Sequence, residues 1–163
     1  MGVSGVGKST LGQALSKRLH CPFIEGDALH AAHSVAKMRA GIPLEDADRW
    51  AWLDRIGMAL REAVLNHGTA VAACSALKHS YRERLSRAGG TTLSLLWLRA
   101  DAQVLQGRLR SRPGHFMPST LLDSQLQTLE PPAASENALE LDAVYPAEVL
   151  VEKALRWLTR ETP

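Results

Sequence analysis

Gly2-Val3-Ser4-Gly5-Val6-Gly7-Lys8-Ser9 follows the spacing G-x-x-x-x-G-K-[ST], with Thr10 directly behind it. Each residue type in that pattern has a chemical reason to be there. The glycines let the backbone turn tightly, so that the N–H groups of residues 2–10 converge on an anion. Lys8 is a point charge on a long stem, able to reach the β- and γ-phosphates of a nucleotide. The Ser9 hydroxyl is a hard oxygen ligand for Mg²⁺. An amphipathic pattern (Leu11, Ala14, Leu15, Leu19) follows at once, so the loop opens a helix whose positive end faces the phosphates.

Three further clusters carry chemistry. Glu25-Gly26-Asp27-Ala28-Leu29-His30 falls just past a short apolar run, Pro22 to Glu25. In open α/β sheets the carboxyl end of a strand is where ligands bind. A carboxylate there can orient or deprotonate an attacking hydroxyl, and another can hold Mg²⁺ through water. Asp27 also reads as an ordinary turn residue, and the neighbouring phosphate loop favours the functional reading. Asp46 reads as a helix cap. Cys74-Ser75-Ala76-Leu77-Lys78 ends the next apolar run, and Tyr81-Arg82 follows. Lys78 and Arg82 are four apart, so on one helix they share a face and suit an anionic substrate group, or simply solvent. This run ends in Cys-Ser where a Walker-B strand ends in Asp, which leaves Glu25 or Asp27 as the acid nearest the metal. The last cluster is Arg108-Leu109-Arg110-Ser111-Arg112-Pro113-Gly114-His115-Phe116. Pro113-Gly114 breaks a helix after Arg112 and predicts a mobile lid near residues 108–118. Arg112 is placed to offset charge on a transferring phosphoryl group, and Arg108 to stack on a base.

The elements that must position these residues alternate along the chain. Helices are expected at 9–19, 34–40, 46–67, 80–87, 101–112, 118–129 and 146–159. Short apolar strands are expected at 22–25, 69–74, 92–98 and 138–141. That order predicts an α/β fold with a parallel sheet and right-handed crossovers. All four tryptophans, Trp50, Trp52, Trp97 and Trp157, read as packing residues; Trp50 and Trp52 flank the start of the long helix, where walling a substrate pocket is the alternative reading. With 163 residues, 45% hydrophobic and 22% charged, the chain is sized for a single domain, 1–163, of ordinary globular composition. A net charge of +2 gives no argument for nucleic acid, and no apolar run or leader pattern argues for a membrane. Cys21 and Cys74 lack metal-ligand spacing and read as buried free thiols of a cytoplasmic protein.

Taken together, the phosphate loop, Gly26-Asp27-Ala28-Leu29-His30, Lys37-Met38, Gly41-Ile42-Pro43-Leu44, Asp48-Arg49, Trp52-Leu53, Cys74-Ser75-Ala76-Leu77-Lys78, Tyr81-Arg82, Arg112-x-Gly114-His115-Phe116 and Leu129-Glu130-Pro131 resemble the thermoresistant-type gluconokinases, relatives of shikimate kinase. The resemblance runs from Gly2 to about Leu158. It implies a P-loop NTPase three-layer sandwich with strand order 2-3-1-4-5, and transfer of the ATP γ-phosphoryl group to the 6-hydroxyl of D-gluconate with Mg²⁺. By the same resemblance, Lys8, Asp27 and Arg112 are catalytic. Residues 2–10 and Arg108 hold the nucleotide. Asp27, His30, Arg49, Lys78 and Arg82 bind the sugar acid, and Ser9 holds the metal, with Glu25 reaching it through water. Many members of the family pair as homodimers. Departures occur at Ala31, Ala32, Ser34 and Ala51, where the family has His-Pro-x-x-Asn and a proline before the second tryptophan. A shikimate-type or adenylylsulfate-type kinase, or a non-catalytic ATP-binding regulator, are the competing readings. No strand precedes the phosphate loop, which predicts that Met1 is an internal methionine and that apolar residues stand upstream of it.

Overall fold

The computed structural model describes residues 1–110 and 120–160. Its elements are α1 (Lys8–Leu19), β1 (Phe23–Glu25), a 3-10 turn (Gly26–Leu29), α2 (Ala32–Arg39), α3 (Asp46–His67), β2 (Val71–Ala73), α4 (His79–Gly89), β3 (Leu95–Arg99), α5 (Ala102–Arg110), α6 (Thr120–Thr128), β4 (Ala138–Asp142) and α7 (Ala147–Arg160). The alternation expected from the sequence is present, with the strands shorter than the apolar runs that announce them. Arg112 to Phe116, and most of the lid expected at 108–118, lie outside the described residues.

β1 pairs with β2 in parallel, Phe23 opposite Val71 and Glu25 opposite Ala73. β3 pairs with β4 in parallel, Leu95 opposite Ala138 and Arg99 opposite Asp142. Among the described residues the sheet therefore runs as two separate pairs, in agreement with the expected order 2-3-1-4-5 interrupted at its first strand. Met1 and Gly2 stand between them. Leu98 N–H donates to the Met1 carbonyl at 3.0 Å, and Gly2 N–H donates to the Ser75 carbonyl at 3.1 Å. These bonds put the first residues of the phosphate loop in the central position of the expected order, at the carboxyl edge of the strands.

Two apolar layers flank the strands. Leu11 and Leu15 of α1 pack with Leu98, Leu141 and Leu150, Val151 and Ala154 of α7. Trp52, Leu53, Ile56 and Leu60 of α3 pack with Cys74, Tyr81 and Leu85 on the opposite side. Helix, strand and helix layers give the three-layer α/β sandwich. Trp52 is 1% exposed and its Nε1 donates to the Gly26 carbonyl at 2.7 Å, which fastens the turn after β1 to α3. Trp97 and Trp157 are half-buried. Cys74 is buried, and that burial pushes its thiol up to about 11, so it stays neutral; Cys21 is only half-buried. No described helix is long and apolar enough to cross a membrane.

Candidate active site

The phosphate loop runs directly into α1, and glycine is required at both of its ends. Gly7 is the N-cap of α1 with φ +101°, a conformation that L side chains rarely adopt. Gly2 has φ +135°, and a Cβ there would stand 2.7 Å from the Leu98 carbonyl oxygen. Val3 and Val6 turn into the core between these glycines, leaving the backbone to face outward. Lys8 Nζ donates to the Val3 carbonyl at 2.9 Å, across the mouth of its own loop. Ser9 stands in the first turn of α1.

A cleft opens beside the loop, bordered by Ser4, Lys8, Asp27 and Ser75 at the strand edge and by His30 and Arg49 on the α2–α3 side. Its apolar wall is Met38, Pro43, Leu44 and Leu121, and α6 contributes Ser124 and Gln125. Asp27 is exposed in the 3-10 turn after β1. The sheet edge therefore brings Lys8, Asp27, His30 and Arg49 to one cavity. Glu25 ends β1 next to it and is not part of the cleft lining.

Two side chains in this cleft hold buried polar atoms that have no partner: His30 Nδ1 and Arg49 Nε. His30 stacks on Trp52 with ring centroids 4.2 Å apart and planes 11° from parallel. Burial lowers its pKa to about 4, against a smaller opposing pull from Asp27, so the imidazole is neutral at neutral pH. Arg49 is 8% exposed. Its Nη2 makes one long bond, 3.3 Å to the Leu44 carbonyl, and its guanidinium lies 5.6 Å from the Tyr81 ring centre. A buried cation with an unused N–H, facing a cavity, is arranged for an anion.

Lys78 and Arg82 are placed differently from expectation. Lys78 is the N-cap of α4 with extended backbone, φ −98° and ψ 153°, so the four-residue helical spacing does not put the two cations on one face. Lys78 Nζ bonds both Asp46 oxygens at 2.7 and 2.9 Å, and Tyr81 OH donates to the same carboxylate. These bonds hold the Asp46 carboxyl below its ordinary pKa, the Lys78 bond most of all. Asp46 is therefore not the helix cap: Glu45 is the N-cap of α3, and its N–H donates to Asp48 at 2.9 Å. Arg82 is 3% exposed and does not reach the cleft. It holds Glu136 at 2.6 and 2.9 Å through Nε and Nη2. Its Nη1 takes the carbonyls of Ala76, Leu77 and Glu130 at 3.1–3.2 Å. Ala76 has φ +44°, a strained position for a non-glycine residue, and Arg82 secures the loop that contains it. Arg108 lies on α5, where Nη2 donates to the Ala143 carbonyl at 2.7 Å, beside the β4–α7 connection. Arg112 lies outside the described residues.

The sequence reading missed Ser124 and Gln125 as lining residues, and gave Ser75 no role of its own within its cluster. Ser4 N–H donates to Gln125 Oε1 at 2.6 Å, a bond between residues 121 positions apart with no local signature. The one visible signal was a pair of polar residues in α6 beside buried Leu121 and Leu122.

Residues 1–132 match a family model described as an AAA domain. A gluconokinase of Gluconobacter oxydans (strain 621H) is 44% identical over 99% of this chain and 90% of its own length. A thermoresistant gluconokinase of Escherichia coli (strain K12) is 38% identical over 95% of this chain and 89% of its own. The crystal structure of a gluconokinase from Sinorhizobium meliloti 1021 superposes with a TM-score of 0.87 at 44% sequence identity, covering 98% of this chain and 89% of that one.

Proposed function

Since the chain belongs to the gluconokinase family, we propose that it transfers the γ-phosphoryl group of ATP to the 6-hydroxyl of D-gluconate, giving 6-phosphogluconate and ADP. The observation that carries this reading is the buried, partly unbonded Arg49 in the same cleft as Lys8 and Asp27. A sugar acid supplies both groups that this cleft lacks. Its carboxylate meets Arg49, and its hydroxyl chain offers donors and acceptors to His30.

The loop amides and Lys8 take the phosphates, with Lys8 leaving the Val3 carbonyl for the β- and γ-oxygens. Asp27 accepts or orients the proton of the 6-hydroxyl as that oxygen bonds to phosphorus and the bond to the β-phosphate oxygen breaks. Neutral His30 holds a substrate hydroxyl against the Trp52 stack. Arg108, beside the β4–α7 connection, borders the adenine. Arg112 is assigned the charge on the phosphoryl group in transit from the family pattern.

The donor set fits Mg²⁺. The described residues hold no group of three His, Cys, Asp or Glu side chains able to cage a metal. That suits an ion held mainly by nucleotide phosphates and water, with the Ser9 hydroxyl as its protein ligand and Glu25 or Asp27 reaching it through water. When bound, the ion draws negative charge off the phosphate oxygens. Two free cysteines and ATP as co-substrate support a cytoplasmic location.

A coupled assay of ADP release over a panel of sugar acids tests the reading. Gluconate-dependent turnover is expected. ATP binding without turnover on any sugar acid would refute it and favour a regulator.

A further inference from the structure

Arg49 keeps an unused N–H in the cleft although an acid stands within reach on its own helix. Asp46 and Arg49 both belong to α3, three positions apart, a spacing at which an aspartate and an arginine meet on one helix face. Among the described residues no ion pair joins them. Arg49 Nη2 goes to the Leu44 carbonyl at 3.3 Å and its Nε bonds nothing. Asp46 is occupied from another element. Lys78, the N-cap of α4, bonds both of its oxygens through Nζ at 2.7 and 2.9 Å, and Tyr81 OH donates to Oδ1. The Tyr81 ring touches both cations, with its centre 5.6 Å from the Arg49 guanidinium and 5.5 Å from Lys78 Nζ. Asp48, in the same turn of α3, is treated alike: Lys37 of α2 bonds both of its oxygens at 2.8 Å. Each aspartate at the start of α3 thus has a lysine from a different helix, and the arginine that follows them is left for a ligand.

We infer that Lys78 is a positioning residue for the substrate carboxylate: it holds the Asp46 carboxylate and so keeps Arg49 from pairing with it. The inference rests on the reading of Arg49 as the group that meets the carboxylate of the sugar acid. Lys78 acts through Arg49 and does not touch the substrate. Without the lysine, Asp46 retains only the Tyr81 hydroxyl, and the Arg49 guanidinium, buried with a donor to spare, takes its place as the counter-ion. The carboxylate of the substrate must then displace one that belongs to the protein.

Lys78→Met removes the ammonium and keeps the stem. KM for gluconate at saturating ATP is expected to rise about fivefold, the strength of a partly exposed ion pair, with kcat within about twofold of wild type. Two backgrounds separate this from a lysine that binds the substrate or attracts it by charge. With Arg49→Met already present, Lys78→Met should change KM by less than about twofold, because no guanidinium remains to be captured. Adding Asp46→Asn to Lys78→Met should return KM to within about twofold of wild type, because the captor is gone. The crystal structure of the Lys78→Met variant should show the Arg49 guanidinium on Asp46. Lys78→Gln should give the same pattern with a smaller rise, and replaces the methionine variant if that one does not fold. An unchanged KM in Lys78→Met, a rise that persists beside Arg49→Met, or one that Asp46→Asn does not relieve would overturn the inference. So would a variant structure with Arg49 still on the Leu44 carbonyl. Failure of the gluconate reading looks different: the wild type would show no sugar-acid turnover, while the variant structure would still decide whether Lys78 keeps Asp46 from Arg49.

Discussion

Replacing Arg49 with methionine isolates the substrate carboxylate. Arg49 is 8% exposed, its Nε has no partner, and its Nη2 bond to the Leu44 carbonyl is a long 3.3 Å. Little of its hydrogen-bonding capacity is therefore committed to the fold. A charged hydrogen bond from such a group to a bound carboxylate contributes about 1.5–3 kcal/mol. At about 1.4 kcal/mol per tenfold, Arg49→Met should lower kcat/KM for gluconate by about 10- to 150-fold, mostly through KM. Arg49→Lys keeps the charge and loses the planar fork, so its loss should fall between the two. Methionine of similar length in place of a poorly paired buried cation should leave the melting temperature unchanged or raised. The assay is ADP release at saturating ATP with gluconate varied, repeated with glucitol, which lacks the carboxylate. The wild type should favour gluconate strongly, and the methionine variant should lose most of that preference. If kcat/KM for gluconate stays within about twofold of wild type, Arg49 does not read the carboxylate.

Other outcomes follow from the same geometry. Asp27→Asn keeps the shape of the 3-10 turn and removes the proton acceptor; kcat should fall by about 10²- to 10⁴-fold with ATP affinity retained, and a near-normal kcat would release Asp27 from that role. Arg82→Ala leaves Glu136 and three carbonyls without their donor, so urea titration should show a loss of about 3 kcal/mol; a loss seen only in gluconate KM would return Arg82 to the substrate site. Arg82 holds the Glu136 carboxyl at about 2, below its ordinary 4.5. The resulting stability is fully present above about pH 4.5 and is lost as pH falls toward 2. Glu136→Gln should flatten that part of the acid-unfolding curve, and an unchanged curve would mean that other carboxylates control it.

The order of elements was legible because each rests on a local pattern: Leu11, Leu15 and Leu19 at helical spacing, or the uninterrupted apolar run ending at Cys74. The phosphate loop was legible because its chemistry is written in consecutive residues. Asp27 and His30 were placed by their position just past an apolar run, Arg49 by resemblance, and the fold brings all three to one cleft. The fate of Lys78 and Arg82 was not legible, since it depends on Asp46 and Glu136, which lie 32 and 54 residues from their partners. Four-residue spacing has meaning only if both residues are helical, and Lys78 is not. Gln125 was hidden for the same reason, its partner being at the other end of the chain. The split at the centre of the sheet agrees with the expected order interrupted at its first strand, and there Met1 and Gly2 link the two pairs of strands.

Phosphoryl transfer to the primary hydroxyl of gluconate can be read from the proton-coupled phosphorus NMR spectrum of the product formed from ATP and gluconate. A phosphate on the 6-position is bonded through a CH₂ group and should appear as a triplet, growing in step with ADP. A doublet would place the phosphate on a secondary hydroxyl, and inorganic phosphate alone would show that the cleft delivers the γ-phosphoryl group to water; either result would contradict the account.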